Sequence, residues 1–239
     1  MIKEFQRIGK FLFQEGLIDS HGGNMSLLEG DRIFITRRDS MLGDLRESDI
    51  VEVGLETGPE DGQASRELPT HRAIYKLGKA KAIVHAHSAN AIALSITDNK
   101  IVPQDAEGLY FYKAAPIVRV RDGIGSEETV RLLPNFLGGE NVIAVVKSHG
   151  SFAVGNSLAE AYKYTSSLEN SCKIIVAIRS SGGRGPGSGG GRVPGVGGRD
   201  IGQGRGPVGG GHGRRDKGGY KSAIPPGIGV MDRSRRHKR

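Results

Sequence analysis

The chain has 239 residues, with 34 Lys/Arg against 26 Asp/Glu and a formal net charge of +8 at pH 7. The basicity sits at one end: residues 181–239 hold 13 Lys/Arg, 3 Asp/Glu and 21 of the 38 glycines, whereas residues 1–180 hold 21 Lys/Arg and 23 Asp/Glu. A nucleic-acid role is therefore confined to that last segment, the single Cys172 excludes an intrachain disulfide, and no apolar run reaches the roughly 18 residues of a membrane span.

Residues 1–180 are expected to form one α/β domain, long enough to bury a core without staples. Phe5, Ile8, Phe11, Leu12 and Leu17 recur at helical spacing, and Gly16 falls where that helix would stop. A glycine turn, Ser20 to Ser26, follows, then strands at Arg32–Thr36 and Ile50–Val53. Glu67–Leu77 reads as a helix with Pro69 in its first turn, where proline is tolerated. Ala82–His87 is a strand, Ala89–Ser95 a helix and Ile117–Val120 a strand. Ser126-Glu127-Glu128 opens a further helix with its acids at the positive end. Val142–Val146 is a strand, and Ser157 caps a long helix running toward Ile178. Alternating strands and helices predict an α/β fold. The opening Met1-Ile2-Lys3-Glu4 is charged, unlike a secretory signal, and one free cysteine suits a reducing compartment. A cytoplasmic protein is expected.

The chemistry concentrates in three histidines. In an extended segment residues two apart share a face, so His85 and His87 of His85-Ala86-His87 converge on one point. His149, after the apolar run Val142–Val146, is a third donor. Three protein ligands with a fourth position open is the pattern of a catalytic zinc site. Taken alone, each histidine is equally an ordinary surface or hydrogen-bonded residue. Glu67 opens the helix before the His-x-His strand, where a carboxylate also serves the helix dipole. Asn24 and Ser26 lie in a glycine turn whose free N–H groups suit an anion or simply make a turn. Arg37, Arg38 and Arg66 would add positive charge beside a phosphate.

In order and spacing these segments resemble the class II aldolase/adducin family, most closely its short archaeal-type fuculose-1-phosphate aldolases. The resemblance covers about residues 1–180. It rests on Gly16-Leu17, Gly23-Asn24-Met25-Ser26, Ile35-Thr36, Ser65-Arg66-Glu67 with His71, Val84-His85-Ala86-His87-Ser88 and His149-Gly150. It implies a three-layer α/β/α fold around a mostly antiparallel sheet, and a homotetramer with active sites near subunit interfaces. It implies that His85, His87 and His149 hold one Zn2+ per subunit (another divalent ion also suits three imidazoles). Glu67 would be the acid/base, and Gly23, Asn24, Ser65 and Arg66 would bind a substrate phosphate.

The implied reaction is reversible cleavage of a ketose 1-phosphate, L-fuculose 1-phosphate first, to dihydroxyacetone phosphate and L-lactaldehyde. Methylthioribulose-1-phosphate dehydration and ribulose-phosphate 4-epimerisation are alternatives on the same scaffold. The epimerases carry Asp where this chain has Glu67, and adducin-type members lack an intact histidine triad.

There are departures. Asp39 stands where many relatives have glycine, and Arg66 replaces a common second serine. The position expected to hold the tyrosine that protonates the leaving aldehyde holds Glu107, which leaves Tyr110 and Tyr112 as candidate donors. The Gly/Arg-rich segment 181–239 is expected to be a disordered tail. It resembles RNA-binding segments of that composition, but offers only Tyr220 for base stacking. A non-homologous extension is the competing account. Membrane partners are not expected.

Overall fold

A computed structural model describes residues 1–78 and 80–182 of the chain. Among the described residues the eight strands are β1 (Asn24–Glu29), β2 (Arg32–Thr36), β3 (Ile50–Gly54), β4 (Ala82–Ala86), β5 (Lys100–Ile101), β6 (Ala115–Val118), β7 (Ile143–Val146) and β8 (Gly150–Gly155). They form one open sheet in the order β3-β2-β1-β4-β8-β7-β6-β5. Every neighbouring pair is antiparallel except β6 and β7. That parallel pair needs a crossover, and α5 (Glu127–Leu132) lies within it.

Strand alternation divides the core. Met25, Leu27, Val84, Ala86 and Ala153 face one side, packed with residues of α1 (Ile2–Gln14), α3 (Ala89–Thr97) and α6 (Leu158–Ser180). Ile33, Ile35, Val53, Ile83, Phe152 and Val154 face the other, packed with Leu68, Ile74 and Tyr75 of α2 (Leu68–Leu77). The result is the expected three-layer α/β/α arrangement with a mostly antiparallel centre. β4 is buried along its whole length, so the His-x-His pair hangs from a strand enclosed on both faces.

Local chemistry sets the boundaries. Phe5, Ile8 and Leu12 bury one stripe of α1. Gly16, at φ +67°, ends that helix: its N–H donates to Phe13 O and the Leu17 N–H to Leu12 O, the paired bonds of a Schellman stop. The Ser126 and Ser157 hydroxyls accept from Thr129 N and Glu160 N, capping α5 and α6 as their sequences predict.

Several elements differ from the sequence reading. The glycine turn stops at Gly23 and Asn24 already belongs to β1, because the backbone from Asn24 to Leu27 pairs with β4. The Ile117 strand begins earlier, at Ala115, and ends at Val118. β8 and α4 (Ala106–Phe111) have no counterpart in that reading. α6 runs its full length to Ser180, and the chain closes it with Gly182 at φ +72°. From Gly183 onward, the Gly/Arg-rich segment lies outside the described residues. Among the described residues no helix is long and apolar enough to cross a membrane.

Candidate metal centre

Two neighbouring stretches of backbone bring the histidines together. His85 is the fourth residue of β4, and His87 lies just beyond that strand. His149 sits in the tight turn between β7 and β8, where Ser148 takes φ +60°. One ring nitrogen from each lies within 4.8 Å of the others. The Nε2 atoms of His85 and His87 are 3.0 Å apart.

The donor set fits a divalent ion. His85 Nδ1 lies 2.9 Å from the Ser151 carbonyl oxygen. A carbonyl can only accept, so Nδ1 carries the proton and Nε2 presents its lone pair. Such a carbonyl anchor is the usual outer support of a metal-bound histidine. Burial, reinforced by the neighbouring His149 and His87, holds His85 well below the usual imidazole range. Burial, followed by His87, pushes His149 down to about 4. Burial lowers His87 as well, with Asp19 opposing. All three are neutral near pH 7, the form that donates to a metal.

Glu67 is buried beside them, its Oε1 3.8 Å from His149 Nε2. Ser65 Oγ accepts the Glu67 N–H. The carboxylate is held at both oxygens: the Gly125 N–H donates to Oε1 at 2.9 Å and the Thr70 hydroxyl to Oε2 at 3.1 Å. Burial raises its pKa despite those bonds, the direction a proton-exchanging carboxyl needs. Sequence reasoning missed Thr70 and Gly125. The glycine-rich Asp122-Gly123-Ile124-Gly125-Ser126 before a capped helix was the available signal.

A cavity of about 180 Å³ opens onto these groups, lined by Gly22, Gly23, Asn24, Arg37, Arg38, Asp39, Ser65, Arg66, Glu67, His85, His87 and His149 among others. Gly23 has φ +78°, and a Cβ there would meet His85 O at 2.7 Å, so only glycine fits. Asn24 is buried with its Oδ1 unpartnered. Arg37 is engaged elsewhere, donating to Ser48 O and Gln63 Oε1, while Arg66 is exposed. Asp39 takes φ +59°, a left-handed conformation that glycine adopts freely and Asp tolerates.

The two tyrosines are not in this cavity. Tyr112 is buried in the core on the opposite side of the sheet. Tyr110 projects from α4 and is 83% exposed.

A three-layer fold carrying a three-histidine cluster, buried at His85 and half-buried at His87 and His149, beside a carboxylate defines a metal-dependent enzyme of the lyase type. Residues 3–176 match the Class II Aldolase and Adducin N-terminal domain, and the chain belongs to that family. It is 31% identical over 175 residues to an L-fuculose phosphate aldolase of Methanocaldococcus jannaschii, covering 73% of this chain and 94% of that one. It is 31% identical over 189 residues to a methylthioribulose-1-phosphate dehydratase of Acidiphilium cryptum, covering 70% and 85% respectively. The crystal structure of L-fuculose-1-phosphate aldolase from Thermus thermophilus superposes with a TM-score of 0.73 at 34% identity, over 77% of this chain and 96% of that one.

Proposed function

We propose that the protein is a zinc-dependent aldolase that cleaves a ketose 1-phosphate, with L-fuculose 1-phosphate as first choice, to dihydroxyacetone phosphate and L-lactaldehyde. The observation that carries this reading is the buried Glu67 carboxyl beside the histidine cluster, at a cavity also lined by Gly23, Asn24, Ser65 and Arg66. His85, His87 and His149 would hold the ion. When bound, a divalent ion supplies Lewis-acid stabilisation of the charge that develops on the substrate oxygens as the C3–C4 bond breaks. Glu67 takes and returns a proton: its carboxylate accepts the one released from the C4 hydroxyl as the C3–C4 bond breaks, and its raised pKa lets the acid form deliver that proton to C3. The Gly125 and Thr70 donors fix the carboxylate for that exchange. The Asn24 amide, the Ser65 hydroxyl and the Arg66 guanidinium orient the phosphate, so remote binding energy aligns the reacting carbons.

A second reading, dehydration of a methylthioribulose-type phosphate, is favoured by one specific observation. Among the described residues no tyrosine lines the cavity, whereas a reversible aldol reaction calls for a group at the C4 oxygen that relays its proton in cleavage and is the donor to the aldehyde oxygen in condensation. Tyr110, exposed on its own subunit, supplies that donor only across a subunit contact, in keeping with the homotetramer that the family resemblance implies. Cytoplasmic location completes the proposal.

The test is dihydroxyacetone phosphate release from L-fuculose 1-phosphate, with and without a chelator. Chelator-sensitive release is expected from the native protein. Glu67→Gln should retain metal and lose at least about 100-fold in turnover, and His85→Ala should lose metal. Absence of release from fully metallated protein would overturn the aldolase reading and favour dehydration.

A further inference from the structure

We propose that Phe152 is a positioning residue for the histidine centre: its ring sets the plane of His85 and thereby the convergence of the three ligand nitrogens. The inference rests on the metal-centre reading above and concerns what organises the site before any ion arrives.

Phe152 is directly opposite His85 in the β4–β8 register. Its ring stacks on the imidazole with centroids 4.0 Å apart and planes 19° apart, and it is fully buried. The Ser151 carbonyl anchors one atom of the imidazole, Nδ1. A single hydrogen bond leaves the ring free to pivot about that contact, which would swing Nε2 off target. The aromatic face removes that freedom. The two constraints come from adjacent residues of one strand, through different chemistry. The same ring presents its edge to His149, at 6.3 Å and 65°, so it touches two of the three proposed ligands.

Phe152 is itself braced. Its other neighbour is His71, edge-on at 6.1 Å and 71°. His71 Nδ1 is 2.7 Å from Ser26 Oγ, which is 2.7 Å from the Tyr75 hydroxyl. His71, Ser26 and Tyr75 are all buried. A polar chain from α2 and β1 thus fixes the aromatic plate against which His85 lies. An imidazole that donates to a cation becomes electron-poor, which strengthens its attraction to an aromatic face.

The alternative is that Phe152 merely fills the core. Phe152→Leu separates the two, because it keeps an apolar side chain but removes the flat face. Phe152→Met, whose flexible thioether fills irregular space, serves if the leucine variant does not fold. The full chain would be stripped of metal, its melting temperature recorded, and cobalt(II) titrated against a chromophoric competitor while the cobalt absorption spectrum is followed.

The expected result is a metal-free variant that still folds cooperatively with a melting temperature lowered by the lost core volume, cobalt affinity of the folded protein lowered about 10-fold or more as for other outer supports of metal ligands, and an altered cobalt spectrum. Native affinity and spectrum in a folded variant would overturn the proposal, as would a lowered melting temperature with unchanged affinity of the folded fraction. His85→Ala run alongside distinguishes the two levels. Loss of cobalt in His85→Ala with native binding in Phe152→Leu would refute the positioning role alone. Failure of the native protein to bind cobalt or zinc would refute the metal centre and this inference with it.

Discussion

At the scale of single residues the centre depends as much on what is missing as on what is present. A Cβ on Gly150 would lie 2.4 Å from Ala86 O, 3.0 Å from His87 Cδ2 and 3.1 Å from His85 Cε1. The obstacle is backbone, in a β4–β8 pair that cannot give way without moving both histidines. Gly150→Ala should therefore destabilise the fold by about 1–3 kcal/mol, as overpacking does, and should weaken metal binding more than about tenfold, as loss of an outer support does. Urea unfolding and a metal competition assay check the two effects separately. Native metal affinity in this variant would show that the pair tolerates the shift. His149-Gly150 is conspicuous in the sequence, but its steric reason is not, because Ala86 is far away along the chain and meets Gly150 only through strand pairing.

At the scale of elements, the end of β4 is held by a contact that no local pattern announces. Glu169, in the middle of α6, is 2% exposed. Its carboxylate accepts from Asn90 N, Asn90 Nδ2 and Ala91 N at the start of α3. A carboxylate there also complements the positive end of the helix. Because α3 begins two residues after His87, this contact anchors the segment carrying the His-x-His pair. Glu169→Ala leaves two backbone donors of α3 without their partner. It should cost about 2–6 kcal/mol, since each orphaned donor costs about 1–3 kcal/mol, the part-buried Asn90 N–H toward the lower end. Hydrogen exchange should show faster opening at Asn90 and Ala91; unchanged protection would refute the anchoring role.

The elements found and those missed divide for a physical reason. The α1 stripe, the serine caps and the β2 strand are dictated by residues within one or two turns of each other. β8, Gly150–Gly155, carries small residues and one aromatic, a weak local signal. It becomes a strand because β4 and β7 present paired backbone on both of its sides.

At the scale of the whole molecule, buried neutral histidine makes stability depend on pH. His71 is fully buried, and burial pushes its pKa down to about 3. In the unfolded chain it titrates near 6.5. Its folded value is therefore depressed and the unfolded state binds more protons on acidification. Stability is retained above about pH 6.5 and is lost progressively as pH falls toward about 3. Asp61 adds a second, lower window. Its pairing with Arg72, at 2.7 Å between Oδ1 and Nη2, lowers its carboxyl, so that contribution is present above the unfolded value near 3.9 and lost below it. Melting temperature measured on metal-free protein should thus begin to fall near pH 6, well before the carboxylates titrate. His71→Phe should reduce the upper part of that profile, the remainder coming from the likewise depressed His85, His87 and His149, and Asp61→Asn should flatten the lower part. A profile flat between about pH 6.5 and 4.5 would refute the histidine contribution.

The sequence by itself determined the class of fold, the three metal-donor candidates and Glu67. Helical and strand periods, helix caps and the i, i+2 spacing of His85 and His87 are local properties, and they survive in any tertiary setting. Only the tertiary structure decided which groups support the donors. The Ser151 carbonyl and the Phe152 face reach His85 across a strand pair, and Gly125 reaches Glu67 from a loop 58 residues away. It likewise placed Tyr112 on the far side of the sheet and Tyr110 in the open. Such contacts depend on strand order and register, which spacing along the chain does not encode.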